Sequence, residues 1–107
     1  MKQALKKHLK QAIIVDTRSS WIYIGRLEEV GEGFIVLSDV DVHDSVESPR
    51  PKEVYVMESK ISGVKANRQC VYVNLDYLVS FSPLDDVKEF REFFHSSVPA
   101  PKKKRRD

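Results

Sequence analysis

Cysteine and glycine are both scarce in this chain of 107 residues, which contains one cysteine and four glycines. Cys70 alone cannot form an internal disulfide, and because it shares one side of an alternating run with Tyr72, we expect a packed or half-packed thiol. The glycines are not spaced as in a phosphate-binding loop, and no Gly-x-Ser-x-Gly nucleophile motif occurs. We therefore expect a non-catalytic protein that uses no cofactor.

Long apolar runs are also missing from the chain. No stretch approaches the roughly 20 residues that a membrane-spanning helix needs. The opening segment MKQALKKHLKQ is charged and lacks the apolar core and cleavage site of a secretory signal. A chain of this length matches one domain with a modest core. The sequence therefore predicts a soluble, cytoplasmic protein with one domain and no membrane partner.

Positive charge is concentrated at the two ends of the chain. The first eleven residues hold four lysines and no acid, and residues 102–106 are all Lys or Arg. The segment between these ends contains nine basic and fifteen acidic residues, so the body of the chain is acidic. Such basic ends either bind phosphate groups or only solvate the termini, and both interpretations stay open. The candidate nucleic-acid-binding residues are Lys2, Lys6, Lys7, Lys10, Lys102, Lys103, Lys104, Arg105 and Arg106.

The clearest structural signal is a hairpin over 21–42. Two runs that alternate between apolar and polar residues, 21–30 and 34–42, flank the short break Gly31-Glu32-Gly33. Gly25 lies in the middle of the first run, where glycine typically marks a bend, a bulge or a close backbone approach. We therefore expect the hairpin to curl into a barrel rather than lie in a flat sheet.

Other patterns predict the elements on either side of the hairpin. Ser82 offers a helix N-cap and Pro83 suits a first helical turn, which predicts a C-terminal helix whose Phe90, Phe93 and Phe94 cover a neighbouring subunit. The predicted elements are an N-terminal helix over 2–11, strands over 12–17, 21–30, 34–42, 69–74 and 78–82, an irregular loop over 43–52, a weak strand over 53–57, a second excursion over 58–68 and a helix over 83–95.

This order predicts a mainly β fold, a strongly bent, five-stranded antiparallel open barrel with one helix at each end. The expected single domain covers 1–95, with the barrel over 12–82, and a disordered basic tail follows over 96–107.

Two segments resemble the signature motifs of Sm-like proteins, whose barrels are related to those of the SH3 type. The first is GRLEEV at 25–30 followed by FIVLSD at 34–39, and the second is VYV at 71–73 followed by a short link and LVSFSP at 78–83. The likeness covers residues 2–83. It implies an Sm-like barrel that assembles into a homo-oligomeric ring by strand pairing between neighbours.

The chain departs from this family where bases are bound. Sm-like proteins that hold uridine-rich RNA use an Asp and an Asn in the first motif's turn and an Arg-Gly pair in the link before the last strand. Here the turn is Gly31-Glu32-Gly33 and the link begins Asn74-Leu75, so the base-binding groups are missing at the matching positions. The resemblance therefore implies the ring without the uridine pocket.

Asp39, Asp41 and His43 lie on one side of a predicted strand, next to Asp44, and offer oxygen and nitrogen donors to a metal. No second cluster supports such a site, and an exposed polar face explains the same alternation. We therefore assign no metal site.

Five aromatic residues lie in or beside predicted strands: Trp21, Tyr23, Tyr55, Tyr72 and Tyr77. Facing outward they would stack on unpaired bases, and facing inward they would fill the core or a seam between subunits. For most of them we expect the second placement.

Two functions remain open. The first is a ring that binds RNA through its basic N-terminal helices and tails. The second is a protein-interaction or structural assembly module with no nucleic-acid binding, in which the acidic body and the region 43–68 recognise another protein. The segregated lysines favour the first function, whereas the missing uridine-binding groups favour the second.

Overall fold

The computed structural model describes residues 1–89, which form a bent antiparallel sheet with two helices. The elements are α1 Lys2–Lys6, β1 Ala12–Thr17, β2 Trp21–Val30, β3 Phe34–Asp44, α2 Lys52–Ser62, β4 Arg68–Asn74 and β5 Leu78–Pro83. Short 3₁₀ turns cover Leu75–Tyr77 and Leu84–Asp86. Within residues 1–89, neither helix has the length and apolar character needed to cross a membrane.

The five strands form one sheet in the order β4-β3-β2-β1-β5, and every neighbouring pair is antiparallel. Strands β4 and β5 follow each other in the chain, joined by the turn Leu75–Tyr77, yet they lie at opposite edges of the sheet. The barrel is therefore open between them. This arrangement confirms the predicted five-stranded, mainly β architecture with an N-terminal helix.

The bend of the hairpin is located at Gly25. Here β2 contributes one residue, Gly25, opposite two residues of β3, Asp39 and Val40, and the register shifts as in a β-bulge. Asp39 has a φ of 50°, which fits an extra residue at a bulge. A Cβ atom on Gly25 would lie 3.0 Å from Val40 Cγ2 and 3.1 Å from the carbonyl oxygen of Ser38. The two strands approach closely because residue 25 has no side chain.

The interior of the barrel is filled by aliphatic side chains from every strand. Leu5 of α1 is fully buried with them, which anchors the helix to the barrel. The buried members of this inner cluster are Leu5, Ile13, Val15, Leu27, Ile35, Leu37, Val40, Val73 and Leu78. Each buried aliphatic side chain of this size contributes roughly 1.5–3 kcal/mol, so the cluster dominates the stability of the fold.

A second apolar cluster lies on the outer face of β1 and β2. Ile14, Ile22 and Ile24 alternate with the inward-facing residues, and they are buried together with Val56 of α2 and with Leu84. Both faces of these strands are therefore covered, which explains why the runs AIIV and WIYI are apolar at consecutive positions.

The N-terminal helix is shorter than the predicted span 2–11. It ends at Lys6, and Lys10 has a φ of 71°. The chain leaves the helix because it must run alongside β2: the Lys10 amide donates to the Leu27 carbonyl at 2.7 Å, and the Leu27 amide donates to the Gln11 carbonyl at 2.9 Å.

The predicted weak strand over 53–57 is wrong, because α2 occupies Lys52–Ser62. Helix signals are present at both of its ends. Pro51 precedes the first turn, Glu53 lies within it, and Lys60 lies in the last turn. Gly63 follows the helix with a φ of 95°, a conformation that favours glycine. The five residues 53–57 alternate weakly between polar and apolar side chains, and this short pattern is also compatible with one buried helix face.

The predicted start of the C-terminal helix is also wrong. Ser82 and Pro83 belong to β5, where Pro83 pairs with Ile13, and a 3₁₀ turn over Leu84–Asp86 follows. Leu84 is buried in the outer cluster, so packing against β1 determines the backbone at this point. Residues 87–89 are not helical either. Residues 90–95 of that predicted helix, with its three phenylalanines, and the tail over 96–107 lie outside the described residues.

Cys70 is exposed, contrary to the expected packing of its thiol. It lies on the outward face of β4, where alternate residues from Arg68 to Asn74 are all exposed. Tyr72, two residues further, is 69% exposed for the same reason. Of the five aromatic residues, Tyr23 packs against the inner cluster as expected, whereas Trp21, Tyr72 and Tyr77 are exposed on the subunit.

We predict that Gly25→Val lowers the free energy of unfolding by about 1–3 kcal/mol, the usual cost of overpacking a tight contact. The added side chain would clash with Val40 and with the Ser38 carbonyl. Urea denaturation measures the effect. Gly33→Ala is the matched control, since a Cβ there meets no atom within 4 Å. Equal stability of both variants would show that the strands do not need this close approach.

Candidate nucleic-acid interface

Helix α1 and the residues that follow it carry the four N-terminal lysines, Lys2 and Lys6 in the helix and Lys7 and Lys10 after it. Leu5 is buried, whereas Lys6, Lys7 and Lys10 are exposed. The burial of Leu5 fixes the helix, and the lysines on its other sides then face solvent. The structure therefore brings the four predicted N-terminal lysines together on one short segment.

Two of these four lysines are already paired with carboxylates. Lys2 Nζ lies 3.2 Å from Glu32 Oε1, in the turn between β2 and β3. Lys10 Nζ lies 2.6 Å from Glu28 Oε1, on β2. Ion pairs of this kind at a surface are weak, but they reduce the positive charge that these lysines present to a phosphate.

Lys6 and Lys7 differ from their neighbours. Both are exposed, and neither forms an ion pair or a side-chain hydrogen bond with any residue in the range 1–89. They are the two lysines of α1 and its C-terminal turn whose charge is fully available. Lys102, Lys103, Lys104, Arg105 and Arg106 lie outside the described residues.

Glu28 joins the N-terminal segment to the hairpin. Its carboxylate accepts hydrogen bonds from Lys10, from Ser38 and from Arg26 Nε, the last at 2.6 Å. These three donors lower the pKa of Glu28 to about 2. The hydrogen bond to Glu28 in turn raises the pKa of Arg26, whose Nη2 also lies 3.5 Å from Asp39 Oδ2. Arg26 and Glu28 are neighbours on one face of β2, but Lys10 and Ser38 come from other segments, so no sequence pattern indicated the whole cluster.

The turn between β2 and β3 lies next to the link between β4 and β5. The Leu75 amide donates to the Gly33 carbonyl at 3.0 Å, which holds the two segments together. The Asn74 side chain accepts from the Asp76 amide at 2.9 Å and caps the 3₁₀ turn. Glu32 and Asp76 are the charged residues of these segments. This pair of segments therefore presents carboxylates rather than groups suited to RNA.

The candidate metal ligands on β3 are separated by the bulge. Asp39 faces Arg26, whereas Asp41 accepts a hydrogen bond from Tyr55 of α2 and His43 stacks on the same tyrosine. The three side chains therefore do not converge. In the range 1–89, no group of three or more His, Cys, Asp or Glu is arranged to hold a metal ion.

The two edges of the sheet expose apolar as well as polar side chains. On β4 these are Cys70 and Tyr72, and the Tyr72 ring contacts Phe34 with 5.8 Å between ring centroids. On β5, Val79 is 58% exposed and Ser80 is exposed beside it. Among the described residues no further strand pairs with β4 or β5, so both edges combine open backbone with apolar surface.

No family model matches the sequence, and no curated protein sequence matches it. A match to a solved structure decides the fold: an Sm protein from Pyrococcus abyssii, solved in complex with a uridine heptamer, superposes with a TM-score of 0.53 over 76% of this chain and 93% of that one. The chain has an Sm-like fold. The sequence identity is 16%, so the likeness concerns the fold alone.

The Sm-like fold confirms the resemblance that the two sequence motifs indicated. The first motif coincides with β2 and β3 and their bulge at Gly25, and the second with β4, its 3₁₀ link and β5. For the insertion between β3 and β4, which holds α2, the sequence predicted a loop, a weak strand and a second excursion but no helix. Its helix signals, Pro51 and Gly63, would have located it.

We predict that Glu28 makes stability depend on pH in the acid range. Because the pKa of Glu28 falls from its ordinary 4.5 to about 2 on folding, its contribution is complete above pH 4.5 and is lost as pH falls toward 2. Glu28→Gln should lower stability at pH 7 and lose less of it between pH 5 and pH 2. Urea midpoints across this range measure the difference.

Glu29→Gln is the control, since Glu29 is exposed and forms no ion pair within the described part of the chain. It should leave both the stability at pH 7 and its acid dependence unchanged. If Glu28→Gln behaves like this control, the Lys10, Arg26 and Ser38 contacts do not tie the N-terminal segment to the hairpin.

Proposed function

We propose that the protein is a non-catalytic, ring-forming Sm-like module that binds RNA through its basic N-terminal segment and tail. The observation that carries the proposal is the open sheet of an Sm-like fold, in which β4 and β5 are edge strands with no further strand beside them in the range 1–89. The proposal places the module in the cytoplasm.

Ring formation follows from the need of both edges for a partner. Edge strands present unpaired N–H and C=O groups, and natural proteins cover, charge or pair them. Here β5 carries Val79 and no charged side chain, and β4 exposes Tyr72 with one charged residue, Arg68, at its start. Pairing β4 of one subunit with β5 of the next is a head-to-tail contact, which closes into a ring when the rotation per subunit allows it. This is the assembly that the Sm-like resemblance implies.

RNA binding follows from the repetition of weak cationic sites. Lys6 and Lys7 give each subunit two available positive charges, and the tail adds five more at 102–106. Contacts of this type release counterions from phosphates and carry little sequence information. A ring multiplies them, so several weak sites bind one strand together. We do not propose a uridine pocket, because Glu32 and Asp76 occupy the segments that would form it.

The alternative is a protein-interaction or structural assembly module with no nucleic-acid binding. The observation that favours it is the pairing of Lys2 with Glu32 and of Lys10 with Glu28, which neutralises half of the N-terminal lysines. The acidic body would then meet a basic partner, and the α2 insertion would supply the recognition surface.

We predict that the double variant Lys6→Ala/Lys7→Ala weakens binding of single-stranded RNA and reduces its salt dependence. Each lost phosphate contact lowers the slope of log affinity against log salt by about 0.7 on a single strand. Fluorescence anisotropy with a labelled oligonucleotide measures this slope when the salt concentration is varied about sixfold, from roughly 50 to 300 mM.

The matched control is Arg18→Ala/Lys88→Ala, which removes the same charge from two exposed residues that have no ion pair in the range 1–89. A truncation that removes 102–107 tests the tail in the same way and should also flatten the slope. Equal slopes for the Lys6/Lys7 variant, the truncation and the control would contradict RNA binding by these residues and favour the alternative function.

We predict that Val79→Lys reduces the oligomeric state without unfolding the subunit. The substitution places a charge on the exposed β5 edge, where it would oppose pairing with a neighbouring strand. Val46→Lys is the control, since Val46 is 77% exposed in the loop after β3. Sedimentation velocity measures the oligomeric state of both variants, and only Val79→Lys should sediment more slowly than the unmodified protein. An unchanged oligomer for Val79→Lys would exclude β5 from the interface.

A further inference from the structure

An open cavity of about 490 Å³ lies between the end of β3 and α2. It is formed by residues of β3 and of the insertion that separates β3 from β4, far in sequence from the turn and link of the two Sm-like motifs. This volume is in the range typical of small-ligand sites. Its polar lining consists chiefly of Asp41, His43, Arg50, Tyr55, Glu58 and Lys65.

One wall of the cavity is a stacked aromatic pair. The rings of His43 and Tyr55 have centroids 3.7 Å apart and planes inclined by 12°. The Tyr55 hydroxyl donates to Asp41, which fixes the tyrosine ring relative to β3. Burial and the contact with Asp41 raise the pKa of Tyr55, so the hydroxyl stays protonated. The wall is therefore flat and aromatic, and it is held in place by both β3 and α2.

The histidine of this pair lacks a hydrogen-bond partner. Its Nε2 is buried, and no residue in the range 1–89 bonds to it. Buried polar groups in folded proteins are nearly always paired with protein, water or a ligand. The protein itself covers this nitrogen, so His43 contributes its ring to the cavity wall and no hydrogen bond through Nε2.

The carboxylates of the cavity have acceptor capacity to spare. Asp41 accepts from Tyr55, and Glu58 accepts from Arg50. Each carboxylate has two oxygens with about four acceptor positions, so both can accept further donors. A ligand that suits this lining is flat and presents neighbouring N–H donors.

Among the nucleobases, guanine fits this description. Its N1–H and N2–H groups are adjacent donors that one carboxylate binds in a bidentate manner. Adenine and cytosine place an acceptor nitrogen beside their amino group, and uracil has one N–H between two carbonyls. Stacking on Tyr or His and hydrogen bonding along the base edge are how proteins read unpaired RNA. Lys65, exposed at the cavity rim, is available to a phosphate.

We propose that the cavity beside α2 binds an unpaired guanine base, with its ring against the His43–Tyr55 pair, its N1–H and N2–H edge on Asp41 or Glu58, and its phosphate near Lys65. In RNA this would add base selectivity to the phosphate contacts of α1, and to that extent the inference rests on the proposed function. It places base recognition in the insertion rather than in the two Sm-like motifs.

The test uses the full chain and the four nucleoside monophosphates GMP, AMP, CMP and UMP. Isothermal titration should show GMP binding at least tenfold tighter than UMP, and amide chemical shifts should change over residues 41–65. Asp41→Asn and Glu58→Gln should each reduce the GMP preference severalfold. Lys65→Ala should weaken GMP without affecting guanosine. Glu53→Gln, an exposed change on the same helix, should leave the preference intact.

Equal affinity for all four nucleotides, no binding, or shift changes outside the cavity would overturn the inference. If Asp41→Asn loses the amide spectrum of the folded protein, Glu58→Gln takes its place in the test. The Glu58 carboxylate contacts Arg50 and not the aromatic pair, so its loss should leave the stacking in place. The proposed function fails separately: GMP binding in the cavity together with RNA affinity that ignores Lys6 and Lys7 would retain the base site and reject the phosphate surface. If RNA binding needs Lys6 and Lys7 but GMP does not bind, the phosphate surface is retained and the base site is rejected.

Discussion

Gly25 allows the backbone of β2 to pack against Val40 of β3 with no side chain between the strands. One residue of β2 opposes two of β3 at this point, and the bulge bends both long strands. Because β2 is bent, its first half pairs with β1 while it also stays paired with β3 along its length. The chain then returns through β4 and β5 to opposite edges of one sheet. The open barrel, its two free edges and the position of α1 all depend on this contact.

The outer face of the sheet is covered only in part, and this determines which charged side chains remain at the surface. The inner cluster anchors α1 through Leu5, and the outer cluster holds α2 through Val56. The outer cluster on β2 ends at Ile24, and beyond it Arg26 and Glu28 stay at the surface. Glu28 and Glu32 lie near the N-terminal segment and pair with Lys10 and Lys2. The basic N-terminus that appears uniform in the sequence is thus reduced to two available lysines.

Sequence reasoning succeeded where a local pattern reflects a local structure. The alternation around Gly25 predicted the bent hairpin, and the motifs at 25–39 and 71–83 indicated the Sm-like fold. It failed where distant residues decide the outcome. Alternation at 53–57 looked like a strand, although Val56 is buried by a helix against the outer face of β1 and β2. Neither the pairing of Lys10 with Glu28 nor the stacking of His43 on Tyr55 has a sequence signature, because each joins separate elements.

The measurement that tests the central claim most directly is the absolute mass of the purified protein, determined by light scattering behind a sizing column with absorbance at 260 and 280 nm on the same peak. Free β4 and β5 edges that pair between copies predict one discrete species at an integral multiple of 12.4 kDa, unchanged on dilution. Excess absorbance at 260 nm would show that RNA co-purifies with it. A monomer of 12.4 kDa at all concentrations would contradict the ring, and with it the account of why both edges are exposed.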